Sequence, residues 1–241
     1  MKGSSNLYFN VSTGIIINMD SEREKRWLQA QMKEDAFWKR EGVLEPQMER
    51  VISRYRPVIE RISQKLPPNA VILDVGCGPT CAARLFGSGL KIFMDPLMSS
   101  YQKKYSGILP EGQRVSCTAE GIPLRDNSSD IVLCVNALDH MIDPGRALGE
   151  IYRVLKRDGI FILGLFIHPP FIAVARRFIE HYLPLLREDA HPYSYTKKSA
   201  RHILKNYFYI REEVPVYIKD SAWIPAMHRE DRIFICGKGK V

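Results

Sequence analysis

The chain reads as an α/β protein built on a doubly wound, mostly parallel sheet with helices on both faces. Three observations carry that reading. Short, almost wholly apolar runs recur at 71–75, 129–136 and 160–167, as strands buried on both faces require. Between the last two lies a helix-period segment, with Ala147, Leu148, Ile151, Val154 and Leu155 spaced along one face. The first run ends abruptly in Gly76-Cys77-Gly78, the punctuation of a strand-to-helix turn.

Ahead of that core, residues 7–17 alternate around Thr13-Gly14, a hairpin or a loosely attached arm. Residues 20–40 form a charged helix carrying Trp27, Leu28, Met32, Phe37 and Trp38, aromatic residues that either pack on the core or line a site. A second helix, 46–65, is expected to break or kink near Pro57, and Pro67-Pro68 separates it from the first core strand. Residues 1–66 are therefore an arm with covering helices, and 67–241 the principal domain.

After the glycine turn a helix is expected at 81–86, its free N–H groups directed at whatever occupies the turn. A second strand, 90–94, ends in Asp95, about twenty residues beyond the loop, where an acid accepts from ribose hydroxyls in adenosine-binding α/β sheets. The alternative for Asp95 is a cap or turn residue before Pro96. A third strand is read at 114–118 and a fourth at 129–136. The helix at 145–156 is expected to close at Asp158-Gly159, with Arg153, Lys156 and Arg157 complementing its dipole. A fifth strand follows at 160–167. Pro169-Pro170 then opens an amphipathic helix at 171–183, with Phe171, Val174, Ala175, Phe178, Ile179 and Tyr182 on one face. It is read as a cover over an acceptor site within a helical insertion, about 169–205. A helix at 197–205 and strands at 207–217 and 232–236 complete the chain.

Composition narrows the class. The 241 residues, 45% of them hydrophobic, suit one domain with added segments. The longest apolar stretch, 160–167, falls far short of a membrane span, and residues 1–10 lack the basic-then-apolar pattern of a secretory signal, so a cytoplasmic protein is expected. The five cysteines (77, 81, 117, 134 and 236) form no C-x-x-C pair; they read as reduced thiols, with neither a metal site nor a disulfide framework indicated. The formal charge of +8 suits nucleic acid, but bases and acids are interleaved without a dense Lys/Arg run.

The glycine turn admits several ligands. A dinucleotide fingerprint needs a third glycine where this chain has Cys81, so that pattern fails. The order Asp74-x-Gly76-Cys77-Gly78, Asp95 after the second strand, Ala119-Glu120-x-x-Pro123-Leu124, Asp130-Ile131-Val132-Leu133 and Leu155-Lys156-Arg157-Asp158-Gly159 instead resembles the small-molecule type of class I S-adenosylmethionine-dependent methyltransferases. The resemblance runs over about 71–167. It implies a Rossmann-like sheet of seven strands with the last inserted antiparallel, and S-adenosyl-L-methionine as cofactor. By that likeness Asp74, Gly76, Cys77 and Gly78 lie along the methionine moiety and Asp95 on the ribose. Met94, Pro96 and Leu97 lie near the adenine, Ala119 and Glu120 at its edge, and Asn136 beside the sulfonium. Two positions depart from the family pattern: Thr80 replaces a third glycine, and Thr118 an adenine-binding aspartate.

Methyl transfer chiefly needs alignment, with a base only for alcohols, phenols and protonated amines. His140, after the fourth strand, is the first candidate base; a helix-start histidine with a local hydrogen bond is the alternative. His168, at the end of the fifth strand, is the second, followed by His181, His191, Tyr193 and Tyr195 if their segments fold over. The expected acceptor is an oxygen or nitrogen of a small or medium-sized metabolite. The competing readings are an RNA or tRNA methyltransferase and a non-catalytic binding module with this fold. Asn136-Ala137-Leu138-Asp139 differs from the N/D-P-P-Y/F run of enzymes that methylate exocyclic base amines, and no Pro-Cys pair after strand four supplies a C5-pyrimidine nucleophile.

Overall fold

The computed structural model describes residues 7–10, 15–18, 22–182, 193–219 and 229–239. Strands β1 (Leu7–Asn10) and β2 (Ile15–Asn18) pair antiparallel as a hairpin, Leu7 opposite Asn18. Helices α1 (Glu22–Trp38) and α2 (Leu44–Ser63) follow. The expected break at Pro57 does not occur, and α2 runs through it. Pro57 lies on the exposed face, so the Ser53 carbonyl that loses its donor meets water.

The core alternates β3 (Val71–Val75), β4 (Leu90–Met94), α3 (Met98–Tyr105), β5 (Gln113–Val115), β6 (Ser129–Val135), α4 (Pro144–Val154) and β7 (Leu155–Ile167). It ends with α5 (Pro170–Tyr182), α6 (Lys197–Lys205), β8 (Phe208–Lys219) and β9 (Arg229–Lys238). The seven-stranded sheet has the order β5-β4-β3-β6-β7-β9-β8. β3 to β7 pair in parallel, and β9 enters antiparallel between β7 and β8, with Leu163 opposite Phe234. The doubly wound order with its inserted antiparallel strand is the one the sequence predicts.

Period-2 alternation divides the strand side chains between two cores. Leu73, Val132, Cys134 and Leu163 pack with Leu148 and Ile151 of α4 and Leu204 of α6. Ile72, Leu133, Ile162 and Ile233 pack with Tyr55 and Ile59 of α2 and Met98 and Tyr101 of α3. The ends of the α4-side helices are fixed locally. Asp143 caps α4, its side chain accepting from the Gly145 and Arg146 amides, and Thr196 and Ser199 form a reciprocal capping box on α6.

Two other expectations need correction. Residues 81–86 form only a 3₁₀ turn (Ala82–Leu85), because Cys81 takes a left-handed conformation at φ 49° that no α-helix continues. The Asp158-Gly159 pair does not close α4. Leu155 is fully buried and already extended, so the chain enters the sheet at once; Ser129 pairs with Leu155 and Ile131 with Ile160, and Asp158-Gly159 lies in the register shift between them. A Cβ on Gly159 would stand 3.0 Å from the Asp130 carbonyl oxygen, so the glycine serves a close backbone approach within the sheet. The cationic turn is also spent differently: Arg153 donates to Glu150, Asp126 and the Leu124 and Ile122 carbonyls, and Lys156 to Asp130. Helix α5 forms as expected, and its Phe171, Val174 and Phe178 are 47%, 67% and 55% exposed.

Candidate functional site

Four strand ends converge on the glycine turn. Gly76 and Cys77 both donate their amides to the Met94 carbonyl at the end of β4, at 2.8 and 3.2 Å, which folds the turn back over the neighbouring strand. Asp95 donates its own amide to Val115 of β5, while Asn136, just past β6, donates to Gly164 of β7. Gly76 has φ +64° and Gly78 φ +53°. A Cβ on Gly76 would stand 2.5 Å from Ala137 Cβ, so only glycine fits there. Beyond Gly78 the nearest group is the Trp38 indole, 3.9 Å from where its Cβ would be.

The two carboxylates behave differently. Asp74 is fully buried; its Oδ2 accepts the Ala83 amide at 2.8 Å, and its buried Oδ1 has no hydrogen-bond partner. Burial pushes its pKa up to about 7. It therefore clamps the 3₁₀ turn, and the Ala83 N–H expected to face a ligand is already satisfied. Asp95 is nearly buried but borders the cavity described below. Its Oδ2 accepts from Gly78 at 2.9 Å and its Oδ1 from Leu97 at 2.8 Å. Asp95 orders the turn before α3, as the turn reading expects, and also faces the cavity, each oxygen retaining acceptor capacity. Its pKa is raised to about 6, chiefly by burial, with the two amides opposing that shift.

These residues border a cavity of about 400 Å³, within the roughly 300–1,000 Å³ common for small-molecule sites. Gly76, Cys77, Gly78, Asp95, Pro96, Leu97, Thr118, Ala119, Glu120, Asn136 and His140 all reach its wall. Asp74 and Met94 lie beneath the wall, and His168 is not among the described residues that line it. Glu120 accepts the Asp143 amide at 3.0 Å and so fixes the start of α4 as well. Asn136, at φ 49°, has a buried Oδ1 with no hydrogen-bond partner.

His140 closes a 3₁₀ turn (Leu138–His140) with its amide donated to Ala137. Its Nε2 stands 4.0 Å from Asp139 Oδ2. Tyr193 instead donates its hydroxyl to the Ile142 carbonyl, and Tyr195 is buried in the core, where it bridges to Ile167. The side chain of His181 and the whole of His191 lie outside the described residues.

Further lining residues come from the two N-terminal helices and the far strands; of these the sequence singles out only Trp27 and Trp38, as residues that either pack on the core or line a site. Trp27, Gln31, Glu34 and Trp38 line the cavity at the spacing of one helical face of α1. That face is held in position by α3: Ser100 donates to Asp35, and Tyr105 and Lys104 both donate to the Trp38 carbonyl. Polar Gln31 and Glu34 interleaved with two tryptophans on one face were the available signal, since a purely packing face has no use for them. Gln47, Arg50 and Arg54 of α2, Phe166 of β7, Tyr217 of β8 and Asp231 of β9 complete the opposite side.

The residues present fit an adenosine-type cofactor on three counts. The turn approaches its neighbours so closely that a Cβ at Gly76 is excluded, Asp95 offers a carboxylate at the wall, and Asn136, also at the wall, has a buried Oδ1 with no hydrogen-bond partner.

Comparison with known proteins agrees. Residues 73–163 match a family model described as a methyltransferase domain. An uncharacterized methyltransferase of Mycobacterium tuberculosis is 36% identical over 112 residues, covering 42% of this chain and 45% of that protein. The chain thus spans a little under half the length of that relative. The demethylmenaquinone methyltransferase of Renibacterium salmoninarum is 25% identical over 170 residues, 67% of this chain and 70% of that one. The fold is also that of the 1,6-didemethyltoxoflavin-N1-methyltransferase of Burkholderia thailandensis, solved with bound 1,6-didemethyltoxoflavin and S-adenosylhomocysteine; the TM-score is 0.63, with 14% identity and 97% and 98% of the two chains covered. Over residues 73–163 the chain is thus similar to a methyltransferase domain, and its sheet has the Rossmann-like fold of the solved methyltransferases it resembles.

Proposed function

We propose that the protein is a methyltransferase that binds S-adenosyl-L-methionine at the glycine turn and methylates an oxygen or nitrogen of a small or medium-sized metabolite. The observation that carries this reading is one cavity whose wall includes Gly76, Cys77, Gly78, Asp95, Asn136, His140 and Phe166. When bound, the cofactor supplies an electrophilic methyl group on a sulfonium. Gly76, Cys77 and Gly78 hold its methionine end, Asp95 its ribose hydroxyls, and Ala119 and Glu120 its base. Trp38 and Trp27 exclude water from above. His140 accepts the proton of an acceptor hydroxyl or ammonium, and Asp139 supports the imidazolium that results.

An acceptor of modest size suits a cavity of about 400 Å³ roofed by α1. Among the described residues no helix is long and apolar enough to cross a membrane. The test is incubation of the protein with methyl-labelled S-adenosylmethionine and separated metabolite, RNA and protein fractions. Label entering the metabolite fraction supports the reading; label entering RNA alone replaces it with the nucleic-acid alternative.

A further inference from the structure

The cavity has two halves. The ends of β3, β4, β5 and β6 supply the half assigned to the cofactor, with Asp95 and Glu120 as its carboxylates. The other half is walled by α2 and by the strands β7, β9 and β8 on the far side of the sheet, and its described lining is Gln47, Arg50, Val51, Arg54, Phe166, Tyr217 and Asp231. Its charge is of opposite sign: two guanidiniums face one carboxylate.

That carboxylate is already committed. Asp231, 1% exposed, forms an ion pair with Arg54, whose guanidinium also lies over the Tyr217 ring, 4.1 Å from its centre. Arg54 is thereby held rigidly, with its charge compensated from one side only. Arg50, one helical turn earlier, donates to the neutral amide oxygen of Gln47 at 3.1 Å, and no described carboxylate pairs with it. Two guanidiniums on consecutive turns of one helix repel each other, and burial first, then Arg50, lower the Arg54 pKa from its ordinary value. The arrangement is costly in a site with no anion and favourable in one that receives an anion. A guanidinium pair presents forked donors suited to the paired oxygens of a carboxylate or phosphate.

We propose that Arg50 and Arg54 recognise an oxyanion carried by the methyl acceptor, a carboxylate or a phosphate, with Phe166, Val51 and Tyr217 packing its apolar part. This rests on the methyltransferase reading for the word acceptor, but the oxyanion site itself does not. Arg50 sets the specificity, because it is the exposed member whose charge has no acidic partner among the described residues, whereas Arg54 is tied into the fold by Asp231.

The experiment is a calorimetric titration of the protein, first with S-adenosylhomocysteine and then, in its presence, with two matched pairs: benzoate against benzamide, and phenyl phosphate against phenol. At least one anion should bind about tenfold or more tightly than its neutral counterpart. Arg50→Gln should abolish that preference, Arg50→Lys should retain part of it, and neither should change the affinity for S-adenosylhomocysteine. Which pair shows the preference tells carboxylate from phosphate. Equal binding of anion and neutral probe, binding of neither anion, or an anion preference that survives Arg50→Gln overturns the proposal. If the anions bind with the stated preference while S-adenosylhomocysteine does not bind at all, the oxyanion site stands and the methyltransferase reading falls.

Discussion

The carboxylate of Asp95 accepts the Gly78 amide at 2.9 Å, so the acid that ends the second core strand also sets the shape of the glycine turn that ends the first. A change at Asp95 therefore acts on both halves of the proposed cofactor site. Asp95→Ala should weaken S-adenosylhomocysteine binding by about 1.5–3 kcal/mol, roughly ten- to a hundredfold, the worth of a charge-assisted contact. Calorimetric titration of the variant checks this. An unchanged affinity would leave Asp95 as a turn residue and nothing more.

Gly76→Ala tests the turn without touching charge. The new methyl would stand 2.5 Å from Ala137 Cβ at a backbone φ of +64°, so either the turn or the segment after β6 must move. Chemical denaturation should show a loss of about 1–3 kcal/mol. Affinity for the sulfur nucleoside should fall more than in Gly87→Ala, a site with open space around it.

Burial raises Asp74 to about 7 and Asp95 to about 6, both above the unfolded value of about 3.9. The folded state thus binds more protons than the unfolded one between those limits. The stability these groups contribute is fully present below pH about 4 and is lost as pH rises through their folded pKa values. Asp74→Asn keeps an acceptor for the Ala83 amide and removes one titration. Urea denaturation at intervals from about pH 4 to 8, which brackets both transitions, should show a shallower decline for the variant than for the parent protein. Parallel curves would mean that Asp74 does not titrate in that window.

His140→Ala should lower methyl transfer by about two orders of magnitude if His140 is the general base. Its cofactor affinity should stay within about threefold, because the glycine turn and Asp95 are untouched. Single-turnover measurement with an identified acceptor separates the two effects. A near-parental rate would assign the alignment of the acceptor to other residues.

The strands and their order were legible because a strand buried on both faces writes itself as a continuous apolar run: Ile72, Leu73 and Val75 in β3, and Ile131 to Cys134 in β6, are all 0–1% exposed. That Gly76, Cys77, Gly78, Asp95, Glu120 and Asn136 would meet at one cavity was legible for the same reason, since they sit at fixed offsets from strand ends. What the sequence reading misplaced were short-range signals overruled by burial. Leu155 drew the chain into the sheet before Asp158-Gly159 came into play, and Cys81 stopped a helix that composition alone allowed. The acceptor half was not legible, because Arg54, Tyr217 and Asp231 are brought together by three separate elements whose spacing in the chain carries no common period. The sequence marks the N-terminal helices as covering segments whose aromatic residues pack on the core or line a site; α1 does line the cavity, with Trp27, Gln31, Glu34 and Trp38.

The measurement that bears most directly on the central claim is calorimetric titration of the purified protein with S-adenosylmethionine and S-adenosylhomocysteine, with NAD as control. The account predicts saturable micromolar binding of both sulfur nucleosides and none of NAD. Binding of NAD, or of neither sulfur nucleoside, would contradict it and leave the glycine turn to be explained as a structural element of the fold.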